Sequence, residues 1–200
     1  MDDRSDGEVI AASMHDPAAF GVIFDRHATA LRRYLVRRLG PDDAASILGE
    51  VFRIAFERRS SYDLERPHAR PWLYGIATNL VAKERRGETR RLHAIARLKA
   101  RHEHAPDLAD AVTAAVDASN LWDRVAAAVA ALPDGERDAL VLSVWEGLAY
   151  DEVAAALDIP IGTVRSRINR ARGRLRELAA PSGEQHIDTT KGTAPGRIGS

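Results

Sequence analysis

The sequence predicts an all-α protein of two small helical domains joined by a flexible linker, the second a helix-turn-helix domain. Three observations carry this. Apolar residues recur at steps of three and four along nearly the whole 200-residue chain, and no window sustains the two-residue alternation of a half-buried strand. Pro106 and a mixture of Ala with charge break the pattern over residues 101–118. Near the C-terminus a short periodic stretch, the turn Asp158-Ile159-Pro160-Ile161-Gly162 and a long periodic stretch follow one another. The boundaries expected are a flexible N-terminus over 1–16, a first domain over 17–100, the linker over 101–118, a second domain over 119–180 and a disordered tail over 181–200.

In the first domain Phe20, Phe24, His27, Leu31, Leu35 and Leu39 mark a helix that Gly40-Pro41 stops. A second helix from about Asp42 carries Ile47, Leu48, Val51, Phe52, Ile54, Ala55 and Phe56, an apolar surface wider than one core-facing stripe. Residues 59–70 lack periodicity. Pro71 then sits where a first-turn proline is tolerated, and Trp72 opens a third helix. Its inner side is Leu73, Ala77, Leu80 and Val81; Trp72, Gly75, Asn79, Lys83 and Arg86 fall on the other side, and the helix is expected to extend to about Ala100. In the second domain Leu121, Trp122, Val125, Val129 and Leu132 mark one helix, and Leu140, Val141, Val144 and Trp145 the next, closed by Gly147. Tyr150 to Leu157 is the short helix before the turn. Val164, Ile168, Ala171, Leu175 and Leu178 set the inner side of the last helix.

Composition narrows the chemistry. There is no cysteine, which excludes disulfide frameworks, thiolate metal sites and cysteine nucleophiles. No apolar run approaches the ~20 residues that span a bilayer, and Met1 to Glu8 is acidic where a signal peptide would be basic and then apolar; a cytoplasmic protein without membrane insertion is expected. The 29 basic and 29 acidic residues cancel only in sum. Residues 20–100 hold 17 basic and 9 acidic side chains, 101–158 hold 3 and 12, and 159–180 hold 6 and 1. Two basic blocks around an acidic one point to two separate anion-binding surfaces, with solvated Arg-rich faces as the plainer explanation.

The last helix would expose Thr163, Arg165, Ser166, Asn169, Arg170 and Arg172. Arg pairs bidentately with guanine and Asn with adenine in the major groove, so these residue types after a tight turn describe a duplex reader. In the first domain Trp72, Asn79, Lys83 and Arg86 with the loop Ser60-Ser61-Tyr62 offer aromatic, amide and basic groups of the kind that hold single strands, against the alternative that the aromatics are core. His93, His102 and His104 with Glu103 and Asp107 lack the supporting shell of a metal site, and no nucleophile elbow, phosphate loop or dinucleotide fingerprint is present. Neither catalysis nor a cofactor is expected.

The stretches DDAASILGEVFRIAF, PWLYGIATNLVAKERR and LPDGERDALVLSVWEGLAYDEVAAALDIPIGTVRSRINRARGRL, in this order, resemble the bacterial extracytoplasmic-function sigma factors. The resemblance implies an initiation factor that carries core RNA polymerase to promoters. It assigns polymerase binding to Ile47, Leu48, Glu50, Val51 and Phe52. It gives capture of the melted minus-ten strand to the 59–70 loop, Trp72, Asn79, Lys83, Arg85 and Arg86, and minus-thirty-five duplex reading to the last helix. Implied partners are the clamp region of the largest polymerase subunit, the flap of the second, promoter DNA and an anti-sigma factor. Where such proteins usually carry Glu-Asp and then Gln in the clamp-binding helix, this chain has Ala45-Ser46 and Gly49. Independently of any resemblance, a ~10-step bubble at about 1.4 kcal/mol of stacking per step costs more than a few captured bases return, so a larger partner is needed. A dimeric helix-turn-helix regulator of palindromic operators is the alternative, distinguished by self-association.

Overall fold

The computed structural model describes residues 3–100 and 127–179. The helices are α1 (Asp6–Ala12), α2 (Gly21–Leu39), α3 (Pro41–Glu57), α4 (Arg70–Ala100), α5 (Asp134–Leu140), α6 (Tyr150–Leu157) and α7 (Ile161–Ala179). Single 3-10 turns lie at Pro17–Phe20 and Arg59–Ser61, and a π-helical turn spans Val141–Trp145.

In the first half α3 packs between α2 and α4. Gly40 (φ 89°) makes the left-handed corner between α2 and α3, and Pro41 starts α3 where its missing N–H costs nothing. Ile23, Leu31 and Leu35 of α2, Val51 and Ala55 of α3, and Leu73, Ala77 and Val81 of α4 are fully buried. Rings lock the layers: Phe24 meets Phe52 at 4.8 Å, Phe20 meets Phe56 at 5.4 Å, and Tyr34 stands edge-on to Tyr74 at 5.2 Å. The wide apolar surface of α3 is thus accounted for by two neighbouring helices.

Three expectations are corrected. The N-terminal segment is not free: Ser5 and Glu8 form a reciprocal capping box, α1 follows, and Val9 and Ile10 are fully buried. Next, Val144 and Trp145 do not face the core; they are 53% and 40% exposed. The π turn, closed by Glu146 N–H donating to Val141 O, adds a residue per turn and carries the side chains past the inward face, so that Glu146 is buried instead.

Last, the two halves are not independent, since one apolar core runs through both. α6 lies on α4 so closely that a Cβ on Gly75 would stand 2.6 Å from the Ala156 carbonyl oxygen; Gly75 is therefore covered rather than part of an exposed stripe. Glu146 accepts from Tyr74 Oη at 2.5 Å and pairs with Arg37, and its carbonyl accepts from Arg70. Arg38 of α2 pairs with Asp138 of α5 at 2.6 Å, both buried. Burial, with the hydrogen bond to Glu146 next, pushes the Tyr74 phenol well above its usual range.

Candidate nucleic-acid interface

The helix-turn-helix is built by its turn. Asp158 caps α6 in the left-handed region (φ 51°), a conformation Asp tolerates better than most residues, and Thr163 N–H returns to Pro160 O at 2.8 Å to open α7. Val164, Ile168 and Ala171 are fully buried against α5 and α6, and Leu175 is half-buried. The side chain of Leu178 lies outside the described residues.

That inner face decides what α7 presents. Arg165, Asn169 and Arg172 are exposed at steps of four and three, and Arg176 continues the line. The sequence reading missed Arg176, although the same spacing reaches it. Thr163 and Ser166 are half-buried, and Ser166 Oγ donates to Thr163 O at 2.9 Å. Arg170 is exposed on the flank and pairs with Glu136 of α5 at 3.0 Å; Arg174 pairs with the same carboxylate at 3.1 Å. Arg170 therefore stands apart from the outward line and has a partner to give up before it touches anything else.

On α4, Asn79, Lys83 and Arg86 are exposed in line, and Arg90 is the next member, unnoticed in the sequence. The structure does not bring every residue predicted for this surface onto it. Tyr62 is buried, its ring 5.0 Å from Trp72 and its hydroxyl donating to Arg66 O at 2.8 Å; burial pushes its phenol up to about 12. Trp72 is half-buried beneath the same loop, so these aromatics brace it. Ser61 is exposed, with Oγ donating to Arg58 O. Arg85 points to the junction of the halves and donates to Arg38 O at 3.2 Å.

The α3 residues also separate. Val51 and Phe52, expected to bind a partner, are core, at 0% and 7% exposure, because α2 and α4 cover them. Ile47 and Leu48 are half-buried, and Glu50 pairs with exposed Arg53, which lowers its pKa through that hydrogen bond first. Ala45, Ser46 and Gly49 are exposed. No group of three or more His, Asp or Glu among the described residues could hold a metal ion. Residues 102–107 of the weighed metal cluster lie outside those residues, and nothing is described of the His93 side chain on α4. Among the described residues, no helix is long and apolar enough to cross a membrane.

The two halves match two separate families. Sigma-70 region 2 matches residues 23–91 and Sigma-70 region 4 matches residues 122–175. Over 168 residues the chain is 31% identical to the ECF RNA polymerase sigma factor SigW of Bacillus subtilis, covering 81% of this chain and 89% of that protein. The chain belongs to the ECF RNA polymerase sigma factors. Two solved structures share the fold of this sigma factor. CnrH in complex with the cytosolic domain of CnrY has a TM-score of 0.60 at 27% identity, covering 89% of this chain and 99% of that one. The sigma factor RpoE, solved with the anti-sigma factor NepR from Bartonella quintana, has a TM-score of 0.60 at 23% identity over 82% of this chain and 98% of that one. The sigma factor described here is a transcription initiation factor with both of its family's DNA-binding regions, and the dimeric-regulator alternative is not favoured.

Proposed function

We propose that this sigma factor binds core RNA polymerase in the cytoplasm and divides one promoter between its halves. The second half reads the minus-thirty-five duplex through Arg165, Asn169 and Arg172, with Arg176 extending the basic line along the backbone. The first half captures the melted minus-ten strand at the 59–70 loop and Asn79, while Lys83, Arg86 and Arg90 hold phosphates. The polymerase clamp meets the exposed side of α3 around Ile47, Leu48 and Glu50, whereas Val51 and Phe52 support that surface from inside. An anti-sigma factor is the partner expected to withhold these surfaces. The work is binding rather than catalysis and calls for no cofactor.

One observation carries the proposal: α7 turns Val164, Ile168 and Ala171 wholly inward, which leaves Arg165, Asn169 and Arg172 outward just past a tight turn. The energetics agree, since bidentate Arg–guanine and Asn–adenine pairs discriminate by about 1–3 kcal/mol each. Run-off transcription with purified core polymerase on a pool of promoter fragments tests it. Transcripts from a shared non-palindromic sequence are expected. A chain that dimerises and selects palindromes without polymerase would replace this reading with an operator-binding one.

A further inference from the structure

The segment between the Arg59–Ser61 turn and α4 has little structure of its own, yet it is bracketed from one side by α1. Within it, Arg66 N–H donates to Asp63 O, and no helix or strand spans residues 62–69. Asp6 N–H donates to Pro67 O at 3.0 Å, and Asp6 Oδ2 accepts from Ala69 N–H at 2.9 Å, so one residue holds the chain at two points. The same carboxylate is fixed from behind by α2, through Arg26 Nη1 at 2.8 Å on Oδ1 and His27 Nε2 at 2.7 Å on Oδ2. Next in sequence, Gly7 leaves no room: a Cβ there would stand 2.6 Å from Leu64 O and 3.0 Å from Arg66 O. On the far side Tyr62 donates to Arg66 O.

A buried carboxylate is costly unless donors surround it, and Asp6 is 5% exposed. Two side-chain donors from α2 and one backbone N–H from the loop surround that charge at the start of a helix of only seven residues. What the arrangement accomplishes is to fix loop backbone, while Leu64, Glu65, Arg66 and His68 remain exposed. Ordering a backbone beforehand removes its entropy cost from the binding step, and the single geometry that results is one a matching unpaired base meets and a mismatched one does not.

We infer that Asp6, with the close approach at Gly7, is a positioning residue for strand capture: it sets the 63–69 backbone so that the loop side chains meet an unpaired base in one geometry. This rests on the reading that the 59–70 loop binds the melted strand. Its test uses the full chain with core polymerase. The wild-type holoenzyme first selects a preferred sequence from a randomised single-stranded DNA pool. Wild type, Asp6→Asn and Gly7→Ala are then compared for binding the preferred and a scrambled oligonucleotide, with helicity and polymerase binding followed alongside. The preference is expected to fall about tenfold in both variants, with scrambled-strand and polymerase binding kept. Gly7→Ala retains the carboxylate and so reports the loop even where Asp6→Asn fails to fold. Preference unchanged in Gly7→Ala, or both oligonucleotides weakened alike, overturns the positioning role. A wild-type holoenzyme without any preference overturns the base-capture reading itself, and the inference with it.

Discussion

Asp6 is held in its charged form. Burial pushes its pKa up, but the hydrogen bonds from His27, Ala69 N–H and Arg26 outweigh burial and bring it well below the usual carboxylate range. A carboxylate depressed on folding contributes stability above its unfolded value of 3.8 and loses it as pH falls through the folded value. The urea midpoint of the wild type should therefore drop more steeply below pH ~4 than that of Asp6→Asn, whose side chain does not titrate; parallel profiles would exclude this role. Gly49 makes the opposite case. It sits exposed inside α3, and a methyl added there would meet nothing within 4 Å, so Gly49→Ala should raise stability by about 0.5–1 kcal/mol in denaturant unfolding. The glycine was legible in the sequence as a local weakness. Asp6 was not, because its partners lie 20 to 63 residues away, although Ser5-x-x-Glu8 carried the capping-box signal for the helix that presents it.

Among the elements, the long helices were legible because their apolar spacing is uninterrupted, and Tyr150–Leu157 begins and ends where periodicity and turn chemistry placed it. Burial around α3 and at the π turn was not, since the width of an apolar surface does not say whether a neighbouring helix or a partner covers it, and an extra residue in one turn leaves no compositional trace. The outward lines of α7 and α4 make different predictions. Asn169→Ala should relax selection at one base position by about 1–3 kcal/mol, measured by sequencing the promoters retained from a randomised pool. Lys83→Ala should weaken promoter binding for all sequences alike and reduce the salt slope by about one. Indistinguishable selection profiles for the two variants would show that neither line reads bases. Arg170, tied to Glu136, should matter less than its position in the sequence implied.

At the scale of the whole molecule the two halves are closed on each other, and the promoter reading requires them apart. Elements centred about 25 base pairs apart lie ~85 Å apart along duplex DNA at about 3.4 Å per pair. Surfaces joined through Gly75 and Ala156 fall far short of that. Asp138→Ala leaves Arg38 buried without its carboxylate, which breaks a pair whose one-sided loss costs about 3–5 kcal/mol. Fluorescence transfer between dyes on α2 and α7 should then drop in the free chain while helical content holds; unchanged transfer would mean the apolar core alone keeps the halves together. Arg137 lies at this junction too, lowered to about 10 by burial first and then by repulsion from Arg85 and Arg38, so the seam carries crowded positive charge.

The wide turn at Val141–Trp145 governs whether Glu146 can fasten that seam at all. An α-helix advances about 100° per residue, so deleting one residue there would restore regular winding and swing the carboxylate a quarter-turn or more off Tyr74 and Arg37 without removing a single contacting group. Fastening is thus encoded in rotational phase, so the loss of one residue within the turn would unlatch the seam with every contacting side chain still in the chain.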